Sequence, residues 1–417
     1  MKKFINWYFG LNIYLALIPF LVFYLLICYV FTHDEPHNDE IRYLLYTKYI
    51  LNGYYSPVSG IDLWTGRGYS AFLIPFILLK IPVMKLTFLN GFLIYFSLVI
   101  FNKTIEIYTL SKSISIYTVL LGLYFPVYMA LPALMTECLT WFLLTIVAYL
   151  LIKNIKSGVI SWKSIVSCGF FIAYLAMTKV IFGYVIILMI IISIVMLLIK
   201  RFRTAGKITA YIFSFSFLLC VPYLLYTYSL TREMFYWTNC SGMSLYTMTA
   251  PYYKDYGDWK PEAEMAVNPN YKDFIHSISN LPPIKKDLAY KKQAVANIKK
   301  YPAKYVMNCV ANLGRLFFEY PHTNTPQSSG TYFFLAPNMF VFVFIITALA
   351  VSIFYLKKLP DEILVLLVFI MVYLAGSVFV SAYCRMFIVT MPFWMFFFFY
   401  VLYNTVFKKN KIYLEQS

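Results

Sequence analysis

The chain has 417 residues, of which 61% are hydrophobic and only 13% are charged. This composition excludes a soluble globular domain, and runs of about 20 apolar residues can cross a hydrocarbon core of about 30 Å as helices. The formal charge of +17 does not indicate a nucleic-acid partner, because the Lys and Arg residues lie in short connections between apolar runs, where they orient a membrane protein. We therefore predict an all-α polytopic membrane protein.

About ten apolar runs are predicted to cross the membrane. They lie at about 11–32, 86–108, 114–133, 135–152, 164–178, 180–199, 208–229, 332–355, 362–382 and 386–406. Ten crossings place both termini on one side of the membrane. The basic connections on that side are Lys2-Lys3, 103–112, 153–163, 200–207, Lys357-Lys358 and Lys408-Lys409. By the positive-inside rule this side is the cytoplasm, so the protein is predicted in the cytoplasmic membrane with cytoplasmic N- and C-termini.

The segment 68–84 is apolar but short, and it contains Pro75, Lys80 and Pro82. If it crossed the membrane, every later basic connection would change sides, so it is predicted to be a juxtamembrane or re-entrant helix. This topology divides the chain into a transmembrane module at 1–229, with a first outer loop at 33–68, an outer region at 230–331 and C-terminal transmembrane helices at 332–417. The outer region is predicted to cover the membrane part, and its Cys240 and Cys309 are the cysteines whose pairing could be tested.

The first outer loop opens with an acidic stretch, Thr32-His33-Asp34-Glu35-Pro36-His37-Asn38-Asp39-Glu40-Ile41-Arg42-Tyr43. Carboxylates crowded beside a low-dielectric boundary could supply a base that takes a proton from a hydroxyl. Two alternatives stay open. The stretch could be a solvated acidic loop, or His33 and His37 could hold a divalent metal with the carboxylates, although the spacing fits no specific metal site.

Basic residues at the outer ends of predicted spans indicate an anion site, because guanidinium and ammonium groups bind phosphate oxygens. Arg42 and Arg67 lie in the first outer loop, while Lys179 and Arg385 lie at outer ends of later spans. The alternative is a set of interfacial cations that extend to water. Glu137 is a lone carboxylate between two apolar runs at the same face, and it is therefore a second candidate for chemistry.

Three segments follow the first span in a characteristic order: Asp39-Glu40-Ile41-Arg42-Tyr43, an aromatic-Pro turn at 53–57, and 64–69 ahead of the Pro-containing helix. This order resembles the GT-C superfamily of membrane glycosyltransferases. Within it, the chain is similar to the bacterial branch of protein O-mannosyltransferases and lipid A aminoarabinose transferases, glycosyltransferase family 39. Later, Tyr383-Cys384-Arg385 followed by Met391-Pro392 resembles a motif that opens a late span of this family.

The resemblance implies a GT-C-like bundle of about ten transmembrane helices with juxtamembrane helices in the first outer loop. It also implies an inverting transfer of a sugar from a polyprenyl-phosphate donor to a glycan, lipid or protein acceptor on the periplasmic or extracellular face. Glu137 stands where the family has a second acidic residue, and Arg67 stands where a basic residue approaches the lipid phosphate. Lys179 departs from the family, in which Arg-Pro is usual at that position.

The residues and the resemblance together give the predicted site. Asp39 is assigned as the base, with Glu40 or Glu137 as support. Arg42, Arg67, Lys179 and Arg385 are assigned to the donor phosphate. No cofactor is predicted, although a divalent metal stays open because members of the superfamily differ in this respect, and no Gly-rich phosphate loop indicates a nucleotide.

Two other functions stay open: a polysaccharide repeat-unit polymerase, and a non-enzymatic transporter or flippase of lipid-linked sugars. The early acidic motif disfavours the polymerase, and the lack of two similar halves disfavours the transporter. A transferase requires that the first outer loop, Glu137 and Arg385 meet at one site.

Overall fold

The computed structural model describes residues 11–404, except 110, 112, 325, 328 and 355–358. These described residues form helices, turns and loops, with no strand among them. The basic residues Lys2, Lys3, Lys112 and the pairs Lys357-Lys358 and Lys408-Lys409, on which the topology partly depends, lie outside them.

The α-helices are joined by turns, loops and 3₁₀ helices. In chain order they are α1 (Ile13–Ala16), α2 (Ile18–Phe31), α3 (Asp39–Leu51), α4 (Gly68–Leu78), α5 (Phe88–Thr109), α6 (Ile116–Gly122), α7 (Thr136–Ser157), α8 (Trp162–Thr178), α9 (Ile181–Leu198), α10 (Arg203–Thr231), α11 (Ser241–Met248), α12 (Glu262–Val267), α13 (Lys272–Ile278), α14 (Pro283–Lys300), α15 (Pro302–Phe318), α16 (Tyr332–Phe354), α17 (Asp361–Val380), α18 (Cys384–Ile388) and α19 (Met391–Leu402).

Six helices in the described part of the chain are long and apolar enough to cross a membrane. They contain α5, α7, α9, α10, α16 and α17. Shorter apolar helices are α2, α4, α8 and α19. Because a helix rises about 1.5 Å per residue, the 11 residues of α4 extend about 16 Å, well short of a hydrocarbon core. These long apolar helices indicate a membrane-associated helical protein.

The predicted span at 114–133 is not one helix, which corrects the sequence-based boundary. Ser115 caps α6 by accepting a hydrogen bond from the backbone N–H of Tyr117, and α6 already ends at Gly122. A separate 3₁₀ helix follows at Phe125–Ala130, with Pro126 in its first turn. Proline has no N–H to donate to the preceding turn, so it begins a new helix more readily than it continues one.

Two glycines allow the first outer loop to lie directly against the end of α8. A Cβ atom at Gly66 would lie 2.1 Å from the carbonyl oxygen of Met177, and one at Gly68 would lie 2.4 Å from Thr178 Oγ1. Tyr174 also donates a hydrogen bond from its hydroxyl to the Gly68 carbonyl at 2.9 Å. Because α8 ends at Thr178, this close packing fixes the position of Lys179 relative to the first outer loop.

The membrane helices share one hydrophobic core, which extends from Ile13 to Val401 and includes residues of both the 1–229 and the 332–417 regions. The outer region has a second, smaller cluster of its own, formed around Tyr246, Tyr271 and Tyr290 of α11 to α14. This cluster was not expected from the sequence, because its aromatic residues alternate with many polar ones. Cys240 and Cys309 are both unpaired.

Candidate functional site

Asp39 lies between two arginines that come from distant parts of the chain. It is the first residue of α3, where a carboxylate is favourable beside the positive end of the helix dipole. Arg42, one turn later, donates from Nη1 to Asp39 Oδ1 at 3.2 Å. Arg385 Nη1 of α18 lies 3.6 Å from Asp39 Oδ2. Each carboxylate oxygen therefore faces one guanidinium.

Glu137 forms the second half of the same group. It lies in the first turn of α7, and its Oε1 accepts a hydrogen bond from Lys179 Nζ at 3.1 Å. Arg385 Nε lies 3.9 Å from the same oxygen. Arg385 thus contacts both carboxylates, and we call Asp39, Arg42, Glu137, Lys179 and Arg385 the ion cluster. The structure brings together these five of the residues that the sequence predicts for the site.

The ion cluster is buried at one end and open at the other. The Glu137 side chain is 5% exposed, whereas those of Asp39 and Arg385 are 30% and 43% exposed. Burial lowers the pKa of the Lys179 ammonium, and the nearby Glu137 carboxylate opposes that shift. Three cations against two carboxylates leave a net charge of +1 in the cluster, so its open end suits an added anion.

Glu40 holds the cluster together from outside it. Its buried carboxylate accepts the backbone N–H of His37 at 2.7 Å through Oε2 and that of Leu134 at 2.6 Å through Oε1. These two bonds join the start of α3 to the segment before α7, which brings Asp39 toward Glu137. The structure therefore places Glu40 on backbone amides, where it positions the site rather than facing the cations.

Arg67 is not brought to the ion cluster. Its buried guanidinium donates to the carbonyl oxygens of Tyr55, at 2.9 Å, and of Asp62, and it lies over the Tyr46 ring. Because these partners belong to 46–62, Arg67 cross-links parts of the first outer loop. Because the side chain is buried, its predicted contact with a donor phosphate would require the surrounding loop to open.

Two tyrosines beside the cluster were not singled out from the sequence, although both lie in motifs that carry the resemblance. Tyr43 is buried, and burial raises the pKa of its hydroxyl, with Glu137 and Asp39 adding to that shift. Tyr383 lies 5.7 Å from the Arg385 guanidinium, measured to its ring centroid. Burial also raises the pKa of Tyr383, Asp258 of the outer region adds to this, and Arg385 opposes it. Tyr383 is therefore within electrostatic range of both the cluster and the outer region.

The outer region has a polar cleft of about 410 Å³ near Asp258, lined also by Tyr253, Tyr256 and His322. Asp258 Oδ1 lies 3.7 Å from Nε of the buried Arg315. This ion pair was missed from the sequence, because Arg315 lies in an amphipathic helix where an arginine is usually solvated.

The two histidines considered for a metal lie close together, with ring centroids 5.2 Å apart. In the part of the chain that the structure describes, no group of three or more His, Cys, Asp or Glu side chains is arranged to hold a metal ion. A pair of imidazoles alone is fewer ligands than a structural or catalytic zinc site uses.

The chain matches no family model and no curated protein.

Proposed function

We propose that the protein is an inverting glycosyltransferase that moves a sugar from a polyprenyl-phosphate donor to a surface glycan, lipid or protein. The observation that carries this proposal is the position of Arg385, which lies within 4 Å of both Asp39 and Glu137. A carboxylate for the acceptor and cations for a phosphate are thus found at one partly open place beside apolar helices.

The donor phosphate binds at the open end of the ion cluster. Arg42 and Arg385 face the two oxygens of Asp39, and guanidinium groups bind phosphate as readily as carboxylate. An incoming phosphate takes over part of these contacts and frees the Asp39 carboxylate for the acceptor. Glu137 and Lys179, which are more buried, keep Arg385 in place during this exchange.

The proposed transfer proceeds without a cofactor. The acceptor oxygen forms a bond to the anomeric carbon while the bond from that carbon to the phosphate oxygen breaks. The bonding electrons leave on the phosphate, where Arg385 and Arg42 stabilise the developing charge. Asp39 takes the proton of the acceptor hydroxyl as general base. Attack opposite the leaving group inverts the anomeric configuration.

The lipid tail of the donor fits this location. Asp39 begins the helix that follows the apolar α2, and Glu137 lies in the first turn of the apolar α7. A polyprenyl chain can therefore stay among the apolar helices while its phosphate reaches the cluster. The acceptor would approach from the outer region, past Tyr383 and the cleft near Asp258.

Mass spectrometry of surface glycans in a deletion strain tests the proposal. We expect the loss of one sugar residue from a glycan, lipid or protein, restored by the wild-type gene and not by the gene for Asp39→Asn. Loss of glycan chain length with unchanged sugar composition would favour a repeat-unit polymerase instead. Unchanged surface glycans would overturn the proposal.

A further inference from the structure

The helix α15 buries polar residues and exposes apolar ones, which is the reverse of a helix that packs on a protein in water. Its buried residues include Asn308, Asn312 and Arg315. Its exposed stripe is apolar, with Val306 61%, Met307 57%, Val310 62% and Leu313 43% exposed. Positions 306, 310 and 313 follow the spacing of one helical face. In water these side chains would leave a continuous apolar surface exposed, which is unfavourable.

The buried polar groups of α15 have specific partners, which fix the rotation of the helix about its axis. Asn308 Nδ2 donates to the Met248 carbonyl at 2.9 Å, and Arg315 pairs with Asp258. These contacts hold the polar face against the outer region. The apolar stripe is consequently directed away from the protein.

The ends of two apolar helices fix where α15 lies relative to the membrane. Asn312 Nδ2 donates to the Val378 carbonyl at 2.8 Å, and the Tyr305 hydroxyl donates to the Phe379 carbonyl at 2.9 Å. Both carbonyls lie in the last turn of α17, a candidate span. Asn338 of α16 donates to the Phe317 carbonyl at 2.7 Å. α15 is thus fastened where α16 and α17 reach the membrane boundary.

Further exposed apolar residues and two lysines lie at the ends of the helices next to the stripe. Phe379 at the end of α17 and Tyr332 at the start of α16 are both exposed. Lys299 and Lys300, which are also exposed, end α14 one residue before α15 begins. An apolar helical face bordered by lysines is the pattern of a helix that lies in the interface of a bilayer with anionic lipids.

We propose that α15 is an interfacial helix, with Val306, Met307, Val310 and Leu313 among the acyl chains of one leaflet and Lys299 and Lys300 at its anionic phosphates. The helix thereby anchors the outer region to the bilayer surface. This inference does not depend on glycosyl transfer.

Spin-label accessibility of the full-length protein tests the location of the stripe. Val310→Cys is labelled in a background in which Cys240 and Cys309 are replaced by Ser, and the protein is reconstituted in vesicles of phosphatidylcholine and phosphatidylglycerol. The matched control is Val267→Cys, since Val267 at the end of α12 is also exposed. We expect the label at 310 to collide more with oxygen than with a water-soluble nickel chelate, and the label at 267 to show the reverse.

Two results would overturn the inference. Preferential collision with the nickel chelate at position 310 would place the stripe in water. A label shielded from both reagents would show that protein, such as a second copy, covers the stripe. Met307→Cys repeats the test if the first variant fails to fold. The anionic part is tested with Lys299→Gln/Lys300→Gln, which should lower the oxygen-to-nickel ratio at 310, and an unchanged ratio would overturn it.

Discussion

Arg385 Nη1 lies 3.6 Å from Asp39 Oδ2, and this contact joins α18 to α3, the first helix of the first outer loop. The pair is partly exposed, so it contributes only about 0–1 kcal/mol to stability. The contact therefore contributes little to stability, and its importance is that it brings Arg385 to Asp39.

Replacing Asp39 with Asn removes the proposed base with little loss of stability. We expect transfer to fall about 10²- to 10⁴-fold, the usual contribution of general base catalysis, while the melting temperature in detergent stays near that of the wild type. The control is Asp34→Asn, because Asp34 lies in the same loop and is exposed. Equal activity of the Asp39 variant and the wild type would remove Asp39 from the mechanism.

Glu137 and Lys179 should show strong coupling in a double-mutant cycle. Glu137→Gln leaves the ammonium of Lys179 buried without its carboxylate, which costs about 3–5 kcal/mol. Lys179→Met removes that charge, so the double variant should recover part of the loss, with a coupling free energy of about 0.5–3 kcal/mol. Thermal unfolding of the four proteins in detergent measures this coupling. Simple additivity of the two single effects would contradict the ion pair.

Glu40→Gln should reduce stability and activity together. The glutamine retains one oxygen for a backbone N–H but turns its NH₂ group toward the other, which removes a charge-assisted bond worth about 1.5–3 kcal/mol. The matched control is Glu35→Gln, since Glu35 is exposed in the same loop. A variant that melts like the wild type yet lacks activity would instead make Glu40 a catalytic residue.

Gly68→Ala should displace the first outer loop from α8. The new Cβ would meet Thr178 Oγ1 at 2.4 Å and its backbone nitrogen at 2.7 Å, and overpacking of this kind costs about 1–3 kcal/mol. Gly376→Ala is the control, because the nearest atom to its Cβ would be Ile181 Cδ1 at 3.3 Å. The melting temperatures of both variants in detergent check this prediction. Equal destabilisation of the two variants would contradict it.

Donor binding should weaken at alkaline pH because of Lys179. Burial places the pKa of this ammonium below its usual value, so the charge is lost early as the pH rises, and KM for the donor should increase. Lys179→Arg, which stays charged, should move this loss to higher pH.

The same shift affects stability in the opposite direction. Between the lowered pKa and the usual one, the unfolded chain binds more protons than the folded chain at this residue. The contribution of Lys179 to the free energy of unfolding therefore rises with pH in that window. A KM increase that coincides with unfolding would have another cause.

Much of the membrane part could be predicted from the sequence, because long apolar runs have few alternatives to a helix. The boundaries of α16 and α17 lie within about two residues of the prediction. The prediction of one span at 114–133 was wrong. Hydropathy alone shows neither that α6 ends at Gly122 nor that a new helix begins near Pro126.

The ion cluster was predicted in part for a related reason. A charged residue at the end of an apolar run is conspicuous, which marked Glu137, Lys179 and Arg385 before their contacts were known. Sequence does not show which backbone amides or carbonyls a charge serves. For that reason Glu40 was assigned as support for the base and Arg67 to the donor phosphate, although Glu40 contacts two backbone N–H groups and Arg67 contacts backbone carbonyls.

The late position of Arg385 in the chain has a consequence for biosynthesis. A ribosome completes α1 to α17 before Cys384, the first residue of α18, is added. Until then Asp39 and Glu137 have only Arg42 and Lys179 as their partners within the cluster. On the proposed mechanism, a nascent chain can insert its early helices beside lipid-linked sugars without consuming them, and turnover begins only when the last helices have packed.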